Sequence, residues 1–203
     1  RDLEKEGVEV VYLPIDRRGL VDLKKLKESL TPETVLVSIM YANNEIGTIQ
    51  PISEIAEIIR NFRNSKSQTL NSKQIPSSKF QTLSPNGYWL YPIFHTDAVQ
   101  AFQFLNCNVD MLGVDLLTLS AHKIYGPKGI GALYVRKNLG LSHNNLETKK
   151  GQPLSPNGYY LNPIVTGGGQ EFGLRSGTEN VPLIVGFARA AELVVEYKKK
   201  EME

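Results

Sequence analysis

The sequence predicts an α/β fold in which a mostly parallel sheet is flanked by helices. Two observations carry that expectation. Short apolar runs alternate with a segment of helical period in β-α-β order, and residues suited to chemistry fall where apolar runs end. In an open α/β sheet, ligands collect outside the carboxyl ends of the strands, so the second observation also locates the site.

Each element follows from local pattern. Residues 1–7 read as the last turns of a helix closed by Gly7. Residues 8–13 form a β-branched run that predicts a strand, and leucines at 23, 26 and 30 give residues 22–30 the stripe of an amphipathic helix. Residues 34–40 predict the next strand. Pro51 stands where a helix begins, and Ile52, Ile55, Ile58 and Ile59 carry its apolar face to about Phe62. Further on, the runs 114–119 and 130–135 flank a turn containing Gly126 and Pro127, and residues 181–203 read as a closing helix. The chain starts within a helix without an initiator methionine and stops among charges. The expectation is the central piece of a longer domain, spanning residues 1–203.

Bulk composition narrows the partners. With 203 residues the chain is long enough to bury a core, and 41% hydrophobic and 22% charged residues fit a globular protein. A net charge of +2 gives no pull toward nucleic acid or membrane. No apolar run approaches the roughly 18 residues that a membrane span needs. The single cysteine, Cys107, excludes an internal disulfide, and three scattered histidines leave no zinc spacing, so no metal is expected. A reducing compartment follows, cytoplasmic by default, with mitochondrion or plastid the alternatives in a eukaryote. Among apolar neighbours, Cys107 reads as a small semi-buried hydrophobe.

Two stretches break the pattern. Between Ile58 and Thr96 there is no acidic residue, and polar residues dominate 64–82. Arg60, Arg63, Lys66, Lys73 and Lys79 could form a basic patch, although an unpatterned polar run is better explained as an insertion. Residues 81–93 match residues 152–164 at ten of thirteen positions, each copy holding a Ser-Pro-Asn-Gly turn. Two distant copies cannot build a solenoid, which needs at least three stacked units. Insertions at about 64–93 and 139–164 are expected, decorating the surface.

The chemistry gathers around Lys123. It follows an apolar run, beside His122, where partial loss of water lets an amine act as nucleophile or base. Asp97 ends another run, with Gln100 one helical turn later on the same face, and Asn43 and Asn44 follow the run 34–40. The stretch 167–180 holds five glycines with Arg175, Ser176 and Thr178, a composition suited to phosphate or carboxylate. Neither nucleotide-loop glycine motif is present. A strand-end lysine, an aspartate and phosphate donors are what pyridoxal phosphate (PLP) uses: an amine to carry it, a carboxylate for the pyridine nitrogen, and donors for the phosphate.

Four segments, NNEIGTIQPI from Asn43, HTDAVQ from His95, LTLSAHKIYGPKGIGALYVR from Leu117 and GGGQEFGLRSGTENVPLIVG from Gly167, closely resemble the cysteine desulfurases. These belong to the class V PLP-dependent aminotransferase superfamily. The resemblance implies a piece of the large domain of a fold-type I enzyme that takes sulfur from L-cysteine, leaving L-alanine and an enzyme persulfide. It implies that Lys123 carries PLP and moves the substrate Cα proton, Asp97 pairs with the pyridine nitrogen, and Gln100 bonds the ring hydroxyl. Asn44 matches the asparagine that contacts cofactor and substrate carboxylate. Ser120 and His122 match holders of the phosphate, and Thr178 matches a residue reaching the site of a partner subunit. A homodimer and a sulfur-acceptor protein such as an iron-sulfur scaffold are implied with them. The family's N-terminal segment, its small domain and its persulfide cysteine have no counterpart here.

Read without the family, the same residues have plainer roles. Asp97 is then a helix N-cap, Gln100 a solvated helix residue, Ser120 a turn former, and Asn43 and Asn44 an ordinary turn. A selenocysteine lyase, an aminotransferase or a non-catalytic remnant are the alternative readings of the whole.

Overall fold

The computed structural model describes residues 2–70, 92–136 and 163–201. The repeated Ser-Pro-Asn-Gly turns lie outside them. Four strands form one sheet in the order β1 (Leu36–Met40), β2 (Ile93–Asp97), β3 (Leu116–Ser120), β4 (Gly131–Val135). The first three run parallel and β4 returns antiparallel to β3, with Ser120 opposite Gly131. The expected mostly parallel α/β sheet is therefore what forms.

The helices are α1 (Asp2–Lys5), α2 (Leu23–Ser29), α3 (Ile52–Leu70), α4 (Val109–Leu112) and α5 (Val181–Glu201). Helix α1 ends as expected: Gly7 takes a φ of 85° and its N–H reaches the Glu4 carbonyl. In α2, Asp22 caps the start by accepting from the N–H groups of Lys24 and Lys25. Helix α3 begins after Pro51 and continues through the polar residues 64–70, eight residues beyond the end its apolar stripe suggests. Helices α2 and α3 bury Leu26, Ile52, Ile55 and Ile59 against Val37, Phe94 and Leu117 of the sheet. In β2, Phe94 and Thr96 are fully buried, while Ile93, His95 and Asp97 lie half-buried on the other face.

Residues 8–13 correct the sequence expectation. They form no strand and pair with none among the described residues, and Val8, Val11 and Tyr12 are exposed. A β-branched run favours a strand only where a neighbour pairs with it. The nearest pairing is an isolated antiparallel bridge between Ile15 and Val21. No helix among the described residues is long and apolar enough to cross a membrane.

Candidate active site

Parallel pairing points the carboxyl ends of β1, β2 and β3 toward one edge, and most of the sequence-predicted residues gather there. At the end of β1 the chain turns through Asn43, whose side-chain oxygen accepts from the N–H groups of Glu45 and Ile46 at 2.9 and 3.0 Å. Asn43 is thus committed to the turn. Its neighbour Asn44 is exposed and makes no side-chain hydrogen bond among the described residues, so only the first amide is held by the turn.

Asp97 closes β2. One carboxylate oxygen accepts from the Val99 N–H at 2.9 Å, a short-range cap, and the other has no hydrogen-bond partner among the described residues. Its backbone carbonyl binds the Tyr41 N–H at 2.8 Å, locking the ends of β1 and β2 together. Gln100 follows on the turn that Phe102 closes onto Ala98. It is half-buried, and its amide is unengaged among the described residues.

After β3, residues Ala121–Ile124 form one 3₁₀ turn. Ala121 and Ile124 are buried and His122 and Lys123 exposed, so the apolar pair anchors the turn and the basic pair projects from it. The Ser120 hydroxyl meets His122 Nδ1 at 2.8 Å. Lys123 makes no ion pair or hydrogen bond among the described residues, which leaves its amine available. Tyr125 ends the turn at a φ of 62°, a left-handed conformation that costs a non-glycine residue about 1 kcal/mol or more.

Helix α5 supports this turn from below. Phe187, Ala190 and Val194 pack against Ala121 and Ile124 as a second core cluster. The approach is close enough that a Cβ on Gly126 would stand 2.9 Å from the Ala121 carbonyl oxygen and 3.2 Å from the Ala190 methyl. Lysine turn and helix are therefore one packing unit.

The glycine-rich stretch folds on itself before α5. Val165 bridges Arg175, the Ser176 hydroxyl accepts from the Gly169 N–H at 3.3 Å, and Gln170 accepts from the Gly177 N–H at 2.9 Å. This leaves Ser176 buried, its oxygen accepting within the loop, while Arg175 donates to the Gly177 carbonyl at 3.3 Å. Thr178 stays exposed with no hydrogen bond to Lys123, Asp97 or His122. Arg63, one of the basic residues after Ile58, is likewise engaged: it binds the buried Asp115 at 2.5 Å.

Sheet edge and lysine turn define a class of α/β protein with an amine, a carboxylate and hydroxyl donors at the strand ends. Comparison with known proteins gives the family. The chain belongs to the class V aminotransferases, whose family model matches residues 1–77 and 91–203. It is 43% identical over 201 residues to the cysteine desulfurase IscS of Dictyoglomus turgidum, covering 99% of this chain and 39% of that protein. It is 41% identical over 203 residues to the mitochondrial cysteine desulfurase of Saccharomyces cerevisiae, covering 100% of this chain and 31% of that one. The chain thus spans less than half the length of these curated relatives. Among solved structures it resembles a NifS-like protein, with a TM-score of 0.72 at 36% identity, covering 98% of this chain and 42% of that one. A structure described as SspA in complex with cysteine aligns with a TM-score of 0.67 at 37% identity, over 94% and 42%.

The residues present fit PLP by the chemistry of their donors. A free amine on the 3₁₀ turn, a carboxylate oxygen without a partner among the described residues at the next strand end, and a serine-histidine pair at the end of β3 are the three kinds of group that the cofactor needs.

Proposed function

We propose that this protein acts as a PLP-dependent cysteine desulfurase, converting L-cysteine to L-alanine and a protein persulfide. The unpaired and exposed Lys123 amine, held one strand away from Asp97 on a turn that Ala121 and Ile124 anchor in the core, carries this reading. The cysteine desulfurases among its relatives support the choice of substrate.

When bound, PLP supplies an electron sink for the pair left behind as the substrate Cα proton departs. Lys123 holds the cofactor and then takes that proton at Nζ. Asp97 gives its open oxygen to the pyridine nitrogen, and Gln100 gives its amide to the ring hydroxyl. Ser120 and His122 hold the phosphate, joined by the partner subunit's Thr178, and Asn44 orients the substrate carboxylate. An acceptor thiolate takes the sulfur atom, the C–S electron pair stays with the three-carbon product, and a proton completes L-alanine. This reading does not use Cys107, which packs against the hydrophobic core and whose thiol pKa is pushed up to about 11 by burial.

The same reading makes residues 1–203 part of a PLP-binding large domain, with insertions at about 64–93 and 139–164, and the protein a homodimer in a reducing compartment. The family model supports the first insertion by leaving residues 78–90 unmatched. An acceptor such as an iron-sulfur scaffold, or a tRNA thiolation pathway, receives the sulfur.

Borohydride reduction after PLP loading, followed by peptide mapping, tests the assignment. The pyridoxyl group is expected on Lys123, with alanine released from L-cysteine in step with persulfide. Labelling at Lys128, or no labelling, would overturn it. Turnover of selenocysteine without release of alanine from cysteine would favour a selenocysteine lyase.

A further inference from the structure

Beside Asp97, on the same face of β2, stands His95, which the steps above do not use. Alternate residues of a strand share a face, so the two are about 6.6 Å apart along the backbone. Register places Ser38 of β1 and Leu116 of β3 on either side of His95. The Ser38 hydroxyl meets His95 Nδ1 at 2.7 Å and so fixes the ring. The residues that face His95 from its own strand and from both neighbours are Ile93, Asp97, Ser38, Met40, Leu116 and Thr118. Of these only Asp97 is ionisable.

We propose that His95 is a positioning residue for Asp97, a neutral neighbour whose protonation draws the carboxylate away from the pyridine nitrogen and sets the acid limit of PLP retention. This rests on the PLP reading above. Burial pushes the His95 pKa down from 6.5, and the Asp97 carboxylate opposes that shift less strongly. At neutral pH the ring is therefore uncharged, and the open Asp97 oxygen is left to the cofactor. Once the pH falls through the lowered pKa, an imidazolium forms beside Asp97 and competes for the same carboxylate.

Coupling between two sites is reciprocal. If protonated His95 weakens PLP binding about tenfold, PLP binding must lower the His95 pKa by about one unit. Two measurements on the full chain check this. PLP affinity, read by absorbance rather than turnover, is expected to fall about threefold more between about pH 8 and pH 5.5 in the wild type than in His95→Gln, the full tenfold being reached only below the His95 pKa of the loaded protein. The NMR titration of the His95 imidazole in the wild type is expected to move down by about one unit on loading. The second needs no variant, so it decides the matter even if His95→Gln misfolds. Equal acid loss in both proteins, or a His95 titration unmoved by PLP, overturns the inference. Absence of PLP uptake at pH 8 would sink the cofactor reading itself and this inference with it.

Discussion

The Arg63 guanidinium lies 2.5 Å from the Asp115 carboxylate, joining helix α3 to the amino end of β3 across 52 residues of chain. Asp115 is almost fully buried, and it also accepts from the Phe94 N–H at 2.8 Å, while Arg136 approaches its other oxygen at 4.0 Å. A buried carboxylate between two guanidiniums is costly to leave half-complete.

Removing one side of that pair is expected to destabilise the fold by about 3–5 kcal/mol, because the remaining charge stays buried without its partner. Urea unfolding of Arg63→Leu and Asp115→Ala would measure it. Losses below about 1 kcal/mol in both would show that the pair is incidental.

Cys107 supplies a pH signature. Burial raises its thiol pKa from 9.0 to about 11, and the charge of nearby Lys198 opposes this only in part. A folded-state pKa above the unfolded one favours the protonated thiol. Its contribution to stability is complete below pH 9 and is lost as the pH rises toward 11. Thermal melts of wild type and Cys107→Ala should therefore diverge between these values, the wild type falling faster. Thiol reagents at pH 8 should label the native chain slowly, and rapid labelling would contradict the burial.

Gly126 tests the packing unit beneath the lysine. Gly126→Ala places a methyl against the Ala121 carbonyl and the Ala190 side chain. Overpacking of this kind costs about 1–3 kcal/mol, and α5 is expected to shift away from the turn. PLP affinity should fall together with stability. Loss of stability alone would separate the helix from the positioning of Lys123.

Thr178 tests the shared site. Mixing Thr178→Ala with Lys123→Ala subunits creates hybrid dimers in which one site lacks both residues and the other has both. Activity above either parent is expected. None above either parent would place Thr178 in its own subunit's site.

The sequence made the carboxyl-edge residues legible because a strand end is a local event. A run of apolar residues stops, a polar residue follows, and Asp97 and Lys123 stand where the pattern says. Composition shows the Ser176 hydroxyl but not its burial, nor that its oxygen accepts from the Gly169 N–H seven residues away. Arg63 with Asp115, and Lys198 with the carbonyls of Phe102 and Leu105, join residues too far apart in the chain for periodicity to register. His95 was visible as part of a motif, while its partner Ser38 lies 57 residues away and appears only once β1 and β2 are in register.

The antiparallel return of β4 separates two rims of the sheet. Because β4 reverses, Arg136 comes back to the rim where Asp115 sits, its N–H donating to the Asp115 carbonyl, and Pro92, whose carbonyl Arg63 also binds, enters β2 on that same rim. A five-residue strand is about 17 Å long, so the charges that brace the sheet stand a full strand away from Lys123.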